Sequence, residues 1–223
     1  MKDEVEILLD LDKLSNHYDE LALRHGHSPL AVQQSNIETL LKRQEVLLDA
    51  FPDIKNKKVL DFGCGTGHLF QLLQQRGFEG EYVGFDISEK QIDIANATHK
   101  NARFSVRNIL TQGIDEEFDY CFISGVFNNL LSDNKMFFES VLKIIWPTLR
   151  NGIAFNCLSS YVDYKSEGLY YFDPSYVFDF CKTNLTTNVS LRHDYQVKPD
   201  VFPFEFSVYL YKSPFSLRKK LND

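Results

Sequence analysis

Residues 59–68 read VLDFGCGTGH: an apolar run, an aspartate at position 61, then glycines at 63, 65 and 67. Glycines so dense after a strand-like run mark a turn from which Cβ atoms have been left out. Backbone N–H groups and the start of the next helix can then approach a ligand closely. The same composition also describes a tight strand-to-helix turn, and the turn by itself does not separate the two readings.

The flanking segments place the turn in a fold. From Lys57 onward short apolar runs alternate with helical patterns: KKVLDFG, EYVGFD, ARFSVRN, FDYCFISG and GIAFNCLSS read as strands. Between them lie a helix through Leu69, Phe70, Leu72 and Leu73 that stops near Gly77, and a helix opened by the capping pair Ser88 and Gln91. A long helix is expected from about Asp133 to Leu149, and a shorter one opens at Asp173-Pro174. Strands too apolar to have a wet face predict a parallel sheet covered by helices on both sides. The last two β-rich runs, TTNVSLRH and FEFSVYLYK, are joined by the 194–203 loop without a helix, so the sheet should finish with a reversed strand. The expected fold class is α/β: a doubly wound, mostly parallel seven-stranded sheet with a reversed final strand, three layers α/β/α, preceded by helices.

Those helices make residues 1–55 a helical extension. Its apolar pattern runs through Leu11, Leu14, Tyr18 and Leu21, breaks at His25-Gly26-His27-Ser28-Pro29, and resumes through Ile37, Leu40, Leu41 and Leu48 before Phe51-Pro52. Residues 56–223 form the α/β domain. A length of 223 residues suits this arrangement of one domain and an appendage.

Composition narrows the function. Hydrophobic residues at 43% and charged residues at 25% describe an ordinary globular protein, and a net charge of −7 argues against broad binding to nucleic acid. Arg218-Lys219-Lys220 is the tight basic run and reads as a solvated tail. The opening MKDEVEILLD is acidic where a secretory signal is basic, and no stretch approaches the ~20 apolar residues of a membrane span, so a cytoplasmic protein is expected. Cys64, Cys121, Cys157 and Cys181 form no CxxC pair and read as small buried hydrophobes. His17, His25, His27, His68 and His99 have no metal-ligand spacing, and surface or capping roles are expected for them.

A second strand ends in Asp86, 25 residues after Asp61, where nucleoside sites place an acid for the ribose hydroxyls. The glycine spacing G-C-G-T-G-H is not G-x-G-x-x-G: the third glycine comes one residue early and His68 follows it. This disfavours a pyrophosphate site and leaves an NAD-dependent oxidoreductase as the weaker enzyme reading. The Walker pattern G-x-x-x-x-G-K-[ST] is absent.

Taken in order, these segments resemble the class I S-adenosylmethionine (SAM)-dependent methyltransferases. VLDFGCGTGHL is similar to the first motif of that family, YVGFDIS to the second, ARFSVRNIL to the third and FDYCFISGVFNNL to the fourth, covering Lys57 to Ser160. The closing strands are similar to the family's reversed seventh strand. The resemblance implies that Gly63, Cys64 and Gly65 line the methionine part of SAM with their backbone, and that Asp61 orders the loop or receives the amino group. It implies that Asp86 holds the ribose hydroxyls, that Ile87 and Ile109 cover the adenine, that Asn108 meets the adenine amine in place of the commoner aspartate, and that Ser124 and Gly125 pass beneath the sulfonium. Arg43, on the helix before the sheet, is placed either to pair with the carboxylate of SAM or to stand as an exposed helix arginine.

An activated methyl donor needs an enzyme chiefly to align nucleophile, methyl and sulfur in a dry pocket, so a strong base is optional. In a doubly wound sheet the acceptor should meet loops beyond the strand carboxyl ends. That selects Asn128 and Asn129, the aromatic Tyr161, Tyr164, Tyr170 and Tyr171, and His193, Asp194 and Tyr195. His193 is the candidate general base, the alternative being a histidine that caps a strand end. The stretch His17-Tyr18-Asp19 is placed to fold over the pocket as a lid. Tyrosine-rich loops suit a small molecule with apolar or ring character, methylated at O or N. A third reading is a non-catalytic SAM-binding domain. Oligomeric state is not legible.

Overall fold

The computed structural model describes residues 2–198 and 201–214, so the basic run at 218–220 lies outside the described residues. Two helices open the chain, α1 over Lys2–His25 and α2 over Ile37–Leu48, separated by a 3-10 turn at Pro29–Val32. The alternation follows as expected: β1 (Lys58–Phe62), α3 (His68–Gln75), β2 (Glu81–Asp86), α4 (Glu89–Thr98), β3 (Arg103–Val106), α5 (Ile109–Gln112), β4 (Phe118–Ile123), α6 (Asn134–Ile145), β5 (Leu149–Leu158), α7 (Pro174–Asn184), β6 (Val189–Arg192) and β7 (Glu205–Tyr211).

Local chemistry sets the helix ends. Asn36, Ser88, Asp133 and Asp173 cap α2, α4, α6 and α7, each accepting from a backbone N–H two or three residues on. The sequence pattern carried α6 to Leu149, but the helix stops at Ile145 and a 3-10 turn takes over at Trp146–Thr148. Pro147 is the cause, since it has no N–H to continue the ladder.

The seven strands lie in the order β3-β2-β1-β4-β5-β7-β6, and every pairing is parallel except those of β7, which runs antiparallel to both β5 and β6. The reversed strand is inserted inside the sheet and leaves β6 at the edge. Burial explains the exchange: β7 buries six of its seven residues, whereas β6 has none buried. Strand order reverses between β1 and β4, so their carboxyl ends diverge into a crevice.

Alternate residues feed two cores. Leu60, Cys121, Phe155 and Val208 join α6, α7 and, from α1, Ile7 and Leu11 on one face; Val59, Phe122, Ala154 and Tyr209 meet α2, α3 and α4 on the other. All four cysteines are buried and free, as small hydrophobes would be.

Candidate active site

The crevice is floored by the glycine turn. Gly63, Gly65 and Gly67 all adopt left-handed φ, at 77°, 54° and 88°, which side chains rarely tolerate. The amides of Gly63 and Cys64 donate to the Phe85 carbonyl at 2.8 and 3.1 Å, and the Gly65 amide donates to Asp86 Oδ2 at 2.8 Å. Asp86 Oδ1 accepts from the Ser88 amide at 3.0 Å. The ends of β1 and β2 are thereby locked together. Burial raises the Asp86 carboxyl above its ordinary value, against the Ser88 and Gly65 amides that favour its charge.

Above this floor opens a cavity of about 1180 Å³, mouth included. Of the residues singled out from the sequence, Arg43, Gly63, Gly65, Asp86, Ile87, Asn108, Ile109, Ser124 and Gly125 line it together. Ile87, Ile109 and Leu110 give one apolar end next to Asp86. Asn108 caps α5, its Oδ1 accepting from the Leu110 amide at 3.1 Å, which leaves that oxygen one lone pair.

Asp61 and Cys64 are not on the cavity wall. Asp61 is buried, accepts a hydrogen bond from the Tyr82 hydroxyl, and is pushed up to about 7 by burial. Cys64 packs beneath Gly84, where a Cβ would stand 2.7 Å from its sulfur. Burial pushes its thiol well above the ordinary value. His193 also stands off the wall, half-buried, with its ring 5.9 Å from Phe206 and 6.3 Å from Tyr161. Tyr161 and Tyr164 are exposed, and Tyr170 packs edge-on against Phe172. Of the residues expected to face the acceptor, Asn128 and Asn129 reach the cavity, and the loop after β5 contributes Leu169 in place of its tyrosines.

The opposite wall comes from residues before the sheet. Leu14 and Tyr18 of α1, Val32 at the end of the 3-10 turn and Gln33 and Gln34 after it line the cavity. Asn129 Nδ2 donates to the Tyr18 hydroxyl at 3.1 Å, which donates to Gln33 Oε1 at 3.0 Å. Burial pushes that phenol up to about 12. This wall is pinned to the start of α4: Asp19 Oδ1 accepts from the Ser88 hydroxyl at 2.5 Å and the Lys90 amide at 3.0 Å, while Gln91 Nε2 donates to the Ala31 carbonyl at 2.6 Å. Gln91 therefore serves the extension and not the reciprocal half of a capping box.

Three histidines that share no sequence pattern also meet here. His27 stacks on His68 at 4.3 Å and meets His99 edge-on at 5.2 Å, and its Nδ1 lies 2.9 Å from Thr66 Oγ1. His68 and His99 are buried, not superficial, although His99 does cap α4. Burial drives His68 down to about 4.

Arg43 is 8% exposed, which excludes the solvent-exposed alternative; its Nε donates to Glu205 at 2.6 Å and its Nη1 to Gln34. Glu205 was missed in the sequence, although a glutamate in the apolar run FEFSVYLY was itself a signal.

Comparison with known proteins gives the same class. Residues 53–155 match the family model described as a methyltransferase domain. The chain is 35% identical over 159 residues to "Putative methyltransferase Rv1506c" of Mycobacterium tuberculosis, covering 69% of this chain and 92% of that protein. Among solved structures, magnesium protoporphyrin IX methyltransferase from Synechocystis with bound SAM shares the fold at a TM-score of 0.66 and 14% identity, over 92% of this chain and 97% of that one. The plantazolicin methyltransferase BamL in complex with a triazolic desmethylPZN analog and SAH does so at 0.59 and 15%, over 93% and 99%. This chain belongs to the class I SAM-dependent methyltransferase family. That membership sets aside the nicotinamide reading. Among the described residues no helix is long and apolar enough to cross a membrane.

Proposed function

We propose that the chain transfers a methyl group from SAM to an oxygen or nitrogen of a small molecule in this cavity. The observation that carries the reading is the Gly65–Asp86 bond at the floor of a cavity whose far wall is Tyr18, Asn128 and Asn129. When bound, SAM supplies a methyl already activated on a sulfonium.

The residues present fit that group. Asp86 keeps unused lone pairs for ribose hydroxyls after accepting from two amides, Ile87 and Ile109 offer apolar faces for adenine, and Asn108 retains an amide for the adenine edge. The backbone of Gly63 and Gly65 borders the methionine end and Arg43 its carboxylate, with Ser124 and Gly125 beneath the sulfur. Cys64 and Asp61 act behind this wall by fixing the turn. The extension over residues 1–55 works as a lid, excluding water and pressing the acceptor toward the sulfur. Asn128, Asn129 and Tyr18 orient an acceptor by hydrogen bonds, and an acceptor with apolar or ring character fits Leu14, Leu158 and Leu169.

No histidine lines the cavity among the described residues. This observation favours, as a second reading, a domain that binds SAM without transferring its methyl. A thermal-shift titration with S-adenosylhomocysteine (SAH), with NAD for comparison and Asp86→Ala as control, tests the site. Saturable stabilisation of about 2.7 kcal/mol at 100-fold excess over Kd, lost in the variant, is expected. No shift with SAH would reject the reading, and SAH binding without turnover on any acceptor would favour the second.

A further inference from the structure

Two cavity residues far apart in the chain are joined by buried polar groups that themselves stand off the wall. The Gly125 amide, in the turn after β4, donates to Asn156 Oδ1 at 2.8 Å; Asn156 Nδ2 donates to Glu205 Oε1 at 3.2 Å; Glu205 Oε2 accepts from Arg43 Nε at 2.6 Å. Tyr195 closes the set, its hydroxyl donating to Glu205 Oε1 at 3.1 Å. Asn156 is 1% and Glu205 0% exposed. They sit on neighbouring strands β5 and β7, and Gly125 and Arg43 line the cavity at the two ends.

Packing alone does not call for a carboxylate and an amide in this place, since well-packed apolar side chains of similar volume often replace a buried ion pair at no loss of stability. The network has a geometric effect instead. A guanidinium held at Nε by a buried acid has its plane fixed, and of its five N–H donors the bonds to Glu205 and Gln34 use two, leaving three. Asn156 meanwhile holds the left-handed Gly125 turn, φ 80°, in the same frame.

We infer that Glu205 and Asn156 are positioning residues that set Arg43 and the Gly125 turn as one unit around the amino-acid end of the cofactor. The inference rests on the proposed role of Arg43. It differs from a merely structural role in one readout: the network should matter for ligands that carry the amino-acid group and not for those that lack it.

The test is calorimetric binding of SAH and of 5′-methylthioadenosine, which has the same adenosine and sulfur without the amino acid. Arg43→Gln and Glu205→Gln are each expected to weaken SAH by about tenfold or more, the loss of a charge-assisted bond, while methylthioadenosine changes by less than about twofold. The double variant should bind SAH no worse than Arg43→Gln, because Glu205 acts through Arg43. Equal losses for both ligands in Glu205→Gln, or no loss for either while Arg43→Gln loses SAH, would overturn the inference and leave the Arg43 role standing. Unchanged SAH affinity in Arg43→Gln would instead overturn that role, and the inference with it. Should Glu205→Gln fail to fold, Tyr195→Phe, which removes a bond to Glu205 and none to the Gly125 turn, is read against the same ligand pair: a loss confined to SAH supports the network, and an equal loss or none rejects it.

Discussion

The Gly65 amide donates to Asp86 Oδ2 at 2.8 Å, so the acid at the end of β2 and the middle glycine of the β1 turn move as one piece. Asp86 thus has two tasks, shaping the turn and offering its remaining lone pairs to the cavity. Asp86→Ala removes both. SAH binding should fall by at least about a hundredfold, roughly 2.7 kcal/mol, and retained affinity in a calorimetric titration would remove Asp86 from the site.

Gly65 bears directly on the proposed lid. A Cβ on it would stand 2.6 Å from Val32 Cγ1, and its φ of 54° strains any L residue. Gly65→Ala should cost about 1–2 kcal/mol of stability for the backbone alone and push Val32 off the turn. Weaker SAH binding is expected beyond the stability loss; wild-type affinity would show that the lid yields freely.

Asp19 is the anchor of α1 over the cavity, through Ser88 and Lys90. Asp19→Ala should leave the fold intact and raise amide exchange along 15–33, with faster SAH release. Because Ile7 and Leu11 belong to the main core, this substitution probes the lid without uncovering that core, as deleting the helix would. Unaltered exchange and release would make the extension a structural cover only.

Two buried groups give opposite pH dependences. His68 falls from 6.5 to about 4 on folding, so the folded state resists its protonation, and stability is lost as pH drops from 6.5 toward 4, on the order of 3 kcal/mol. Asp61 rises from 3.8 to about 7, so its contribution is fully present below pH 3.8 and is lost as pH climbs through 7. Denaturant melts of His68→Gln should lose the first slope and those of Asp61→Asn the second. Parallel curves for variant and wild type would contradict either assignment.

His193 lies off the cavity wall, so His193→Ala should change turnover on an identified acceptor by less than about threefold, well short of the 100-fold or more that a general base contributes. A larger fall with unchanged SAH affinity would restore it as the base.

Much of this molecule is written locally. The period change at Lys57, the caps Ser88 and Asp173, the glycines of 63–67 and the acid at 86 each depend on a few neighbouring residues, and the sheet, its reversed last strand and the glycine-turn side of the cavity were legible from them. The position of β7 inside the sheet was not, because strand order is decided by which strand buries more of both faces. Nor was the fate of Arg43: it meets Glu205 across 162 residues, and on its own helix nothing distinguishes it from an exposed arginine. The cavity wall built by Tyr18 and Gln33 and the meeting of His27, His68 and His99 were likewise set only when α1 docked on α4. Backbone preference and side-chain period act over about one or two turns of chain, whereas a buried polar group finds its partner only in the packed molecule.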